Sequence, residues 1–211
     1  MRKREIQRHL QYYLWCYLAI LVGAVVLWTS VYGIIESPDA NERLTVSYFG
    51  NDYDGEGLRL DIENNISNIT SQNIKKISTH CVGQTESTVF GSMIQTDLYS
   101  SDIMVFEDWA ITDELASMSF RPITSELEEQ FLDLAPEYYL IDGVKCGIIL
   151  NPQGENLNNF TKYYSGSGLL VAFFAPYSEN LGGAYGTGGE DDRGAIELMR
   201  FLLEEAYGEE N

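Results

Sequence analysis

Basic residues are scarce in this chain: 13 Lys and Arg stand against 32 Asp and Glu, for a net charge of −19. Four of those bases and one acid fall within the first twelve residues, so the remainder carries −22. Such an excess of one sign repels phosphate backbones and anionic bilayer surfaces, which excludes nucleic acid as a direct ligand. Cysteine is equally sparse, at three residues, which rules out a disulfide-dense scaffold. Two histidines, His9 and His80, stand apart from those cysteines without any zinc-ligand spacing, so no metal site is expected. No Gly-x-Ser-x-Gly nucleophile motif occurs, and neither histidine is placed to activate a serine or cysteine. No cofactor motif is present, since the glycine-rich run Gly182–Gly189 is followed by Glu190, Asp191 and Asp192 rather than lysine. That run is expected to be a loop and not a phosphate cradle.

Against these absences stands one long uncharged stretch, Trp15 to Ile35, WCYLAILVGAVVLWTSVYGII. About twenty apolar residues suffice for a helix to cross the hydrocarbon core. Tyr12, Tyr13, Trp15 and Tyr17 cluster at one end and Trp28 and Tyr32 near the other, as aromatic belts do at the two headgroup levels. Arg2, Lys3, Arg4 and Arg8 precede the span, whereas Glu36, Asp39 and Glu42 follow it before the first base, Arg43. The positive-inside rule then puts the N-terminus in the cytoplasm and the rest of the chain outside. A cleavable signal fits less well: its apolar region is typically about 7–15 residues, and Ser37-Pro38-Asp39-Ala40 is a poor cleavage site. Cys16 follows Leu14-Trp15 and so offers no lipoprotein site. The expected organisation is a basic tail (1–12), a transmembrane helix (13–35), a linker (36–43) and one extracytoplasmic domain (44–211), with the lipid bilayer as partner through Trp15–Ile35.

Within that domain the hydrophobic periods alternate. Leu44–Phe49 reads as a strand and stops at Gly50-Asn51-Asp52. Leu58, Ile62, Ile66 and Ile69 mark one helix face between Gly57 and Ile69. Ile74–Val82 is a second strand, and Thr85 opens a helix running toward Leu98. Asp102–Phe106 is a third strand, apolar enough to be buried on both faces. Helical spacing resumes through Trp109, Leu115 and Met118. A further helix spans Ser125 to Leu134, opened by Thr124 or Ser125 and ended by Pro136. Tyr138–Leu150 holds a hairpin about an Asp142-Gly143 turn. Leu169–Phe174 is an apolar strand, and Asp191–Tyr207 a helix whose apolar face is Ile196, Met199, Leu202 and Leu203. The alternation predicts an α/β fold in three layers: a mainly parallel sheet of about five strands with helices on both faces. Cys81 and Cys146 fall in strand-like runs, either bonded to each other or each a buried thiol. Asn65, Asn68 and Asn159 begin Asn-x-Ser/Thr sequons, which count only in a host that glycosylates exported proteins.

In open α/β sheets ligands bind at the carboxyl ends of strands. That edge presents Asn51, Asp52 and Tyr53 after the first strand and Glu107, Asp108 and Trp109 after the third, and these six are the candidate ligand-binding residues. Carboxylates beside aromatic rings suit a sugar. The plainer alternative makes Trp109 a core residue at a helix start, with the acids capping that helix. A hydrolase using paired carboxylates, Glu107 and Asp108 with Asp52, is the enzymatic alternative.

Three segments carry a family resemblance: Asp102-Ile103-Met104-Val105-Phe106-Glu107-Asp108-Trp109, the hairpin Tyr138–Leu150, and the helix Ala195–Leu203. In that order they resemble the first lobe of bacterial extracellular solute-binding proteins of the type 2 periplasmic-binding class, which serve ABC importers, particularly the carbohydrate-binding group. The hairpin of that family continues with an aromatic residue and a proline where this chain has Cys146 and Ile149. The family also inserts a second lobe after the hairpin, whereas here only the 18 residues Asn151 to Gly168 intervene, too few for an independent lobe. The resemblance implies a one-lobed, membrane-anchored, non-enzymatic binding or accessory module. Its expected partners are a membrane transporter or another membrane protein, and weakly a sugar.

Overall fold

The structure, a computed structural model, describes residues 3–35, 38–51, 53–70, 73–83, 87–112, 115, 120–151, 163–166, 168–182 and 193–207. It divides into two units, Met1–Pro38 and Asp39–Asn211. The first is helix α1 (Lys3–Ile35, 33 residues). Its apolar part, Tyr12–Tyr32, has a mean hydropathy of 2.1 over 21 residues and is not buried against protein. At 1.5 Å per residue it is about 31 Å long, close to the hydrocarbon thickness of a bilayer. The hydroxyls of Thr29 and Ser30 donate back to the carbonyls of Val25 and Val26 at 2.8–3.0 Å. Neither therefore leaves a polar group unsatisfied in an apolar medium.

The second unit is a six-stranded sheet with the order β2-β1-β3-β6-β5-β4. Its strands are β1 (Arg43–Phe49), β2 (Lys76–Val82), β3 (Ile103–Glu107), β4 (Tyr138–Ile141), β5 (Val144–Ile149) and β6 (Leu170–Phe174). The helices are α2 (Gly55–Ile69), α3 (Ser87–Leu98), α4 (Ser125–Glu128, continued by a 3-10 turn to Leu134) and α5 (Gly194–Tyr207). β1 lies between β2 and β3, parallel to both. The remaining three pairings, β3–β6, β6–β5 and β5–β4, are antiparallel.

The expectation of a mainly parallel sheet of about five strands is therefore corrected to a mixed sheet of six. The physical reason lies in the connections. Asp142 (φ 52°) and Gly143 (φ 80°) form a two-residue turn with both residues left-handed, which imposes an antiparallel pair. β6 then enters beside β3 running the other way, with Glu107 opposite Leu170 and Ile103 opposite Phe174. Hydrophobic period is the same for either strand direction, so the sequence pattern carries no sign of this.

β3 and β6 are buried at every residue, and β1 at every residue after Arg43, so the core runs through the middle of the sheet. On one face Leu44, Val46, Val105 and Ala172 meet Leu58 and Ile62 of α2, Phe131 beyond α4, and Leu198, Leu202 and Leu203 of α5. On the other, Phe49, Phe106 and Phe173 meet Ile94 of α3 with Ala110, Leu115 and Phe120. Phe120 stacks on Phe173 at 3.7 Å between centroids. Helices on both faces and three layers agree with the sequence pattern.

Thr124 caps α4, its side chain accepting from the Leu127 amide. Cys81 on β2 and Cys146 on β5 are free thiols. Three strands separate them, about 19 Å at the usual strand spacing, which is beyond the reach of a disulfide. The expected cap Thr85, the helical spacing to Met118, the sequon at Asn159, most of the Gly182–Gly189 run and the acids Asp191 and Asp192 lie outside the described residues.

Candidate functional site

The carboxyl ends of β1 and β3 are adjacent strand ends, so Asn51 and Glu107 come together although 56 residues separate them. Glu107 is 5 % exposed. A buried carboxylate must find donors, because a lone one is very costly away from water. Its Oε2 accepts the Asn51 backbone N–H at 3.1 Å and the indole Nε1–H of Trp109; its Oε1 accepts the Tyr164 hydroxyl at 2.6 Å. The Tyr164 oxygen accepts in turn from the Gly168 backbone N–H at 2.9 Å. Tyr48 stands beside this group and donates its hydroxyl to the Asn51 carbonyl at 2.9 Å. Burial, then the neighbouring Glu107 charge, pushes the Tyr48 ionisation far above the ordinary phenol range. Burial, the bond to Glu107 and its charge raise Tyr164 as well, so both phenols stay protonated donors.

Gly50 is required by the crowding. A Cβ there would lie 2.6 Å from the Tyr48 hydroxyl oxygen and 2.7 Å from Glu107 Cγ. The chain after Asn51 is held by Tyr163 and Tyr164. Tyr53 and Tyr164 form an antiparallel bridge, and the Asp54 N–H donates to the Tyr163 carbonyl at 2.7 Å. The Tyr53 ring stacks on Tyr48 at 3.9 Å. Its hydroxyl is buried with no partner among the described residues, and burial raises its ionisation well above the ordinary value.

Of the six candidate residues, five gather at this edge, and Asp52 lies outside the described residues. Their roles differ from a simple ligand set. Glu107 and Tyr53 are tied into the domain. Asp108 is exposed and its Oδ1 accepts the Trp109 N–H at 2.9 Å, but the residue at the N-cap of this turn is Glu107, which makes no side-chain cap, so the acids do not take the capping role of the plainer alternative. Trp109 begins no core helix: Asp108–Ala110 is one 3-10 turn, and the indole remains 42 % exposed. Tyr48 and Tyr164 escape sequence reasoning. The one signal for Tyr48 is its place just before the strand end; for Tyr164 it is a Tyr-Tyr pair ahead of Gly166 and Gly168 in a polar connection.

Asp102, at the opposite end of β3, is also buried. It accepts from the Thr45 N–H at 2.7 Å, the Ser178 hydroxyl at 2.6 Å and the Asn180 amide at 3.0 Å. Burial nevertheless raises its pKa above the ordinary carboxylate value. Beside it is a hollow of about 30 Å³ between Arg43, Ser101 and the stacked rings of Tyr99 and Tyr177. That is room for one water and not for a sugar ring.

Among the described residues no group of His, Cys, Asp and Glu is placed to hold a metal. His80 Nδ1 is 3.5 Å from Asp97 Oδ1, and Ser47 is the cross-strand neighbour of His80. Ser47 is fully buried, however, and shares its hydrogen bond with the Ser101 hydroxyl at 2.6 Å, so this row is no nucleophile–base pair. No family model, no curated protein and no solved structure matches the chain.

Proposed function

We propose that the chain is a membrane-anchored, extracytoplasmic binding or accessory module without catalytic activity, built on one lobe of the solute-binding-protein type and serving an ABC importer or another membrane protein. Helix α1 crosses the bilayer with its basic end in the cytoplasm and carries the α/β domain outside. The carrying observation is the engagement of Glu107: both its oxygens accept from the chain itself and neither is turned out to a substrate, as the alternative of a surface hydrolase requires. The strand order adds support, with β1 between β2 and β3 and the returning β6 beside β3 in one sheet. What the edge offers outward is a half-exposed indole and the exposed Asp108, a shallow surface for weak sugar contact or for docking on a protein. A single lobe has no second lobe to close over a ligand, and closure is what gives two-lobed binders their affinity.

The test is isothermal titration of the whole chain in nanodiscs with common mono- and disaccharides, alongside co-purification with the membrane subunits of importers from its own host. Weak or undetected sugar binding together with a stable importer complex is expected. Submicromolar sugar binding contradicts the one-lobe reading. Glycoside hydrolysis that disappears in Glu107→Gln replaces it with the hydrolase.

A further inference from the structure

The carboxyl edge of the sheet is filled by the chain's own side chain. The Tyr164 ring enters from the connection between β5 and β6, packs at 6.4 Å from the Tyr48 ring, and places its hydroxyl 2.6 Å from Glu107. Tyr164 is 5 % exposed. The connection is fastened at both ends of this insertion: by Asp54 N–H to Tyr163 O at 2.7 Å, and by the Asn151 side-chain amide to Gly168 O at 2.7 Å. A Cβ on Gly166 would run into the Tyr164 ring, so the backbone can fold back over the phenol only with glycine there. A buried ring bearing a hydroxyl, tilted against the Tyr48 ring and donating to a buried carboxylate, fills the place a bound ring would take at this edge.

We propose that Tyr163–Gly166, with Gly168, act as a strap that closes this edge, the Tyr164 phenol standing in for the hydroxyl of a ring-shaped ligand, so that the site is self-occluded. An outside hydroxyl reaches Glu107 only after the strap leaves. This goes beyond the functional reading and holds whether or not the domain serves an importer, because it concerns what fills the edge.

Hydrogen–deuterium exchange on the full chain in phosphatidylcholine nanodiscs tests it. In Tyr164→Phe the Gly168 amide loses its acceptor. The strap should then open as a unit, the Asp54 and Gly168 amides both exchanging at least tenfold faster while those of β1 and β3 stay unchanged. Acceleration at Gly168 alone, or at neither, overturns the strap. In Tyr164→Gly a phenol-sized hole remains beside Glu107. Millimolar p-cresol should slow the Asn51 amide at least tenfold in this variant, toluene should not, and the wild type should respond to neither. A wild type that responds to p-cresol, or a variant that treats both probes alike, contradicts the occlusion. If Tyr164→Gly does not fold, the Tyr164→Phe result decides alone.

Discussion

The two ends of β3 solve the same problem with different materials. Asp102 and Glu107 are both buried carboxylates, and each accepts three hydrogen bonds from its own chain. At the amino end the donors are a backbone amide, a serine and an asparagine, drawn from β1 and a short turn at 178–180. At the carboxyl end two of the three are the polar tips of aromatic rings, and one ring arrives from the long β5–β6 connection. Small, fixed donors make Asp102 a staple of the sheet. Ring donors, one of them on the half-exposed Trp109, make the Glu107 end a crowded pocket that happens to be full. The comparison separates a buried acid kept for architecture from one placed where ligands bind in open sheets.

The largest effect that sharpens this contrast is expected from Asp102→Ala, which takes a buried acceptor from the Thr45 N–H, the Ser178 hydroxyl and the Asn180 amide, the last of which also donates to the Arg43 carbonyl. Each buried donor left without a partner costs about 1–3 kcal/mol, so the urea midpoint should fall by the equivalent of about 3–5 kcal/mol. Because the Asp102 pKa is raised in the fold, its contribution grows as pH falls through that folded value and is complete below the unfolded value of about 3.9. The penalty of Asp102→Ala should therefore be larger at pH 4.5 than at pH 7.5. Glu107→Ala should cost less, about 2 kcal/mol, since the freed Trp109 indole N–H is near enough to the surface to find water. Equal penalties at the two ends would break the distinction.

Away from β3, Thr124→Ala removes the α4 cap and should cost about 1 kcal/mol by the same denaturation. The smallest effect belongs to the Arg200–Asp133 pair, where both side chains are exposed to solvent. The guanidinium holds the Asp133 carboxyl below its ordinary range. Its contribution is thus present above the unfolded pKa and lost as pH falls through the lower folded value. Arg200→Ala should lower the neutral plateau slightly and flatten the acid limb, the variant and the wild type converging as pH falls through that folded value.

Much of the fold is legible in the residue pattern because it is local. The four-residue period of Leu58, Ile62 and Ile66, the uniform apolarity of Ile103–Phe106, the cap at Thr124 and the turn at Asp142-Gly143 each fix an element within a short window. The direction of β6 is not local, and period two reads the same both ways. Asp102, assigned to the third strand from sequence, precedes it and staples β1 to a turn 76 residues away. The candidate site is half legible for the same reason. Asn51, Tyr53, Glu107, Asp108 and Trp109 follow from the strand-end rule, whereas the contact of Glu107 with Tyr164 spans 57 residues and depends on the path of an irregular connection.

The claim on which the function rests is that α1 spans a bilayer and holds the domain outside the cytoplasm. The chain's own thiols report on it, because Cys16 lies in the apolar helix, Cys146 is buried and Cys81 is exposed on β2. Cells stripped of any outer envelope would be treated with a membrane-impermeant maleimide before and after permeabilisation, and the modified peptides identified by mass spectrometry. Labelling of Cys81 in intact cells, with no gain after permeabilisation, is the expected result. Labelling of Cys81 only after permeabilisation would place the domain in the cytoplasm and contradict the proposed function.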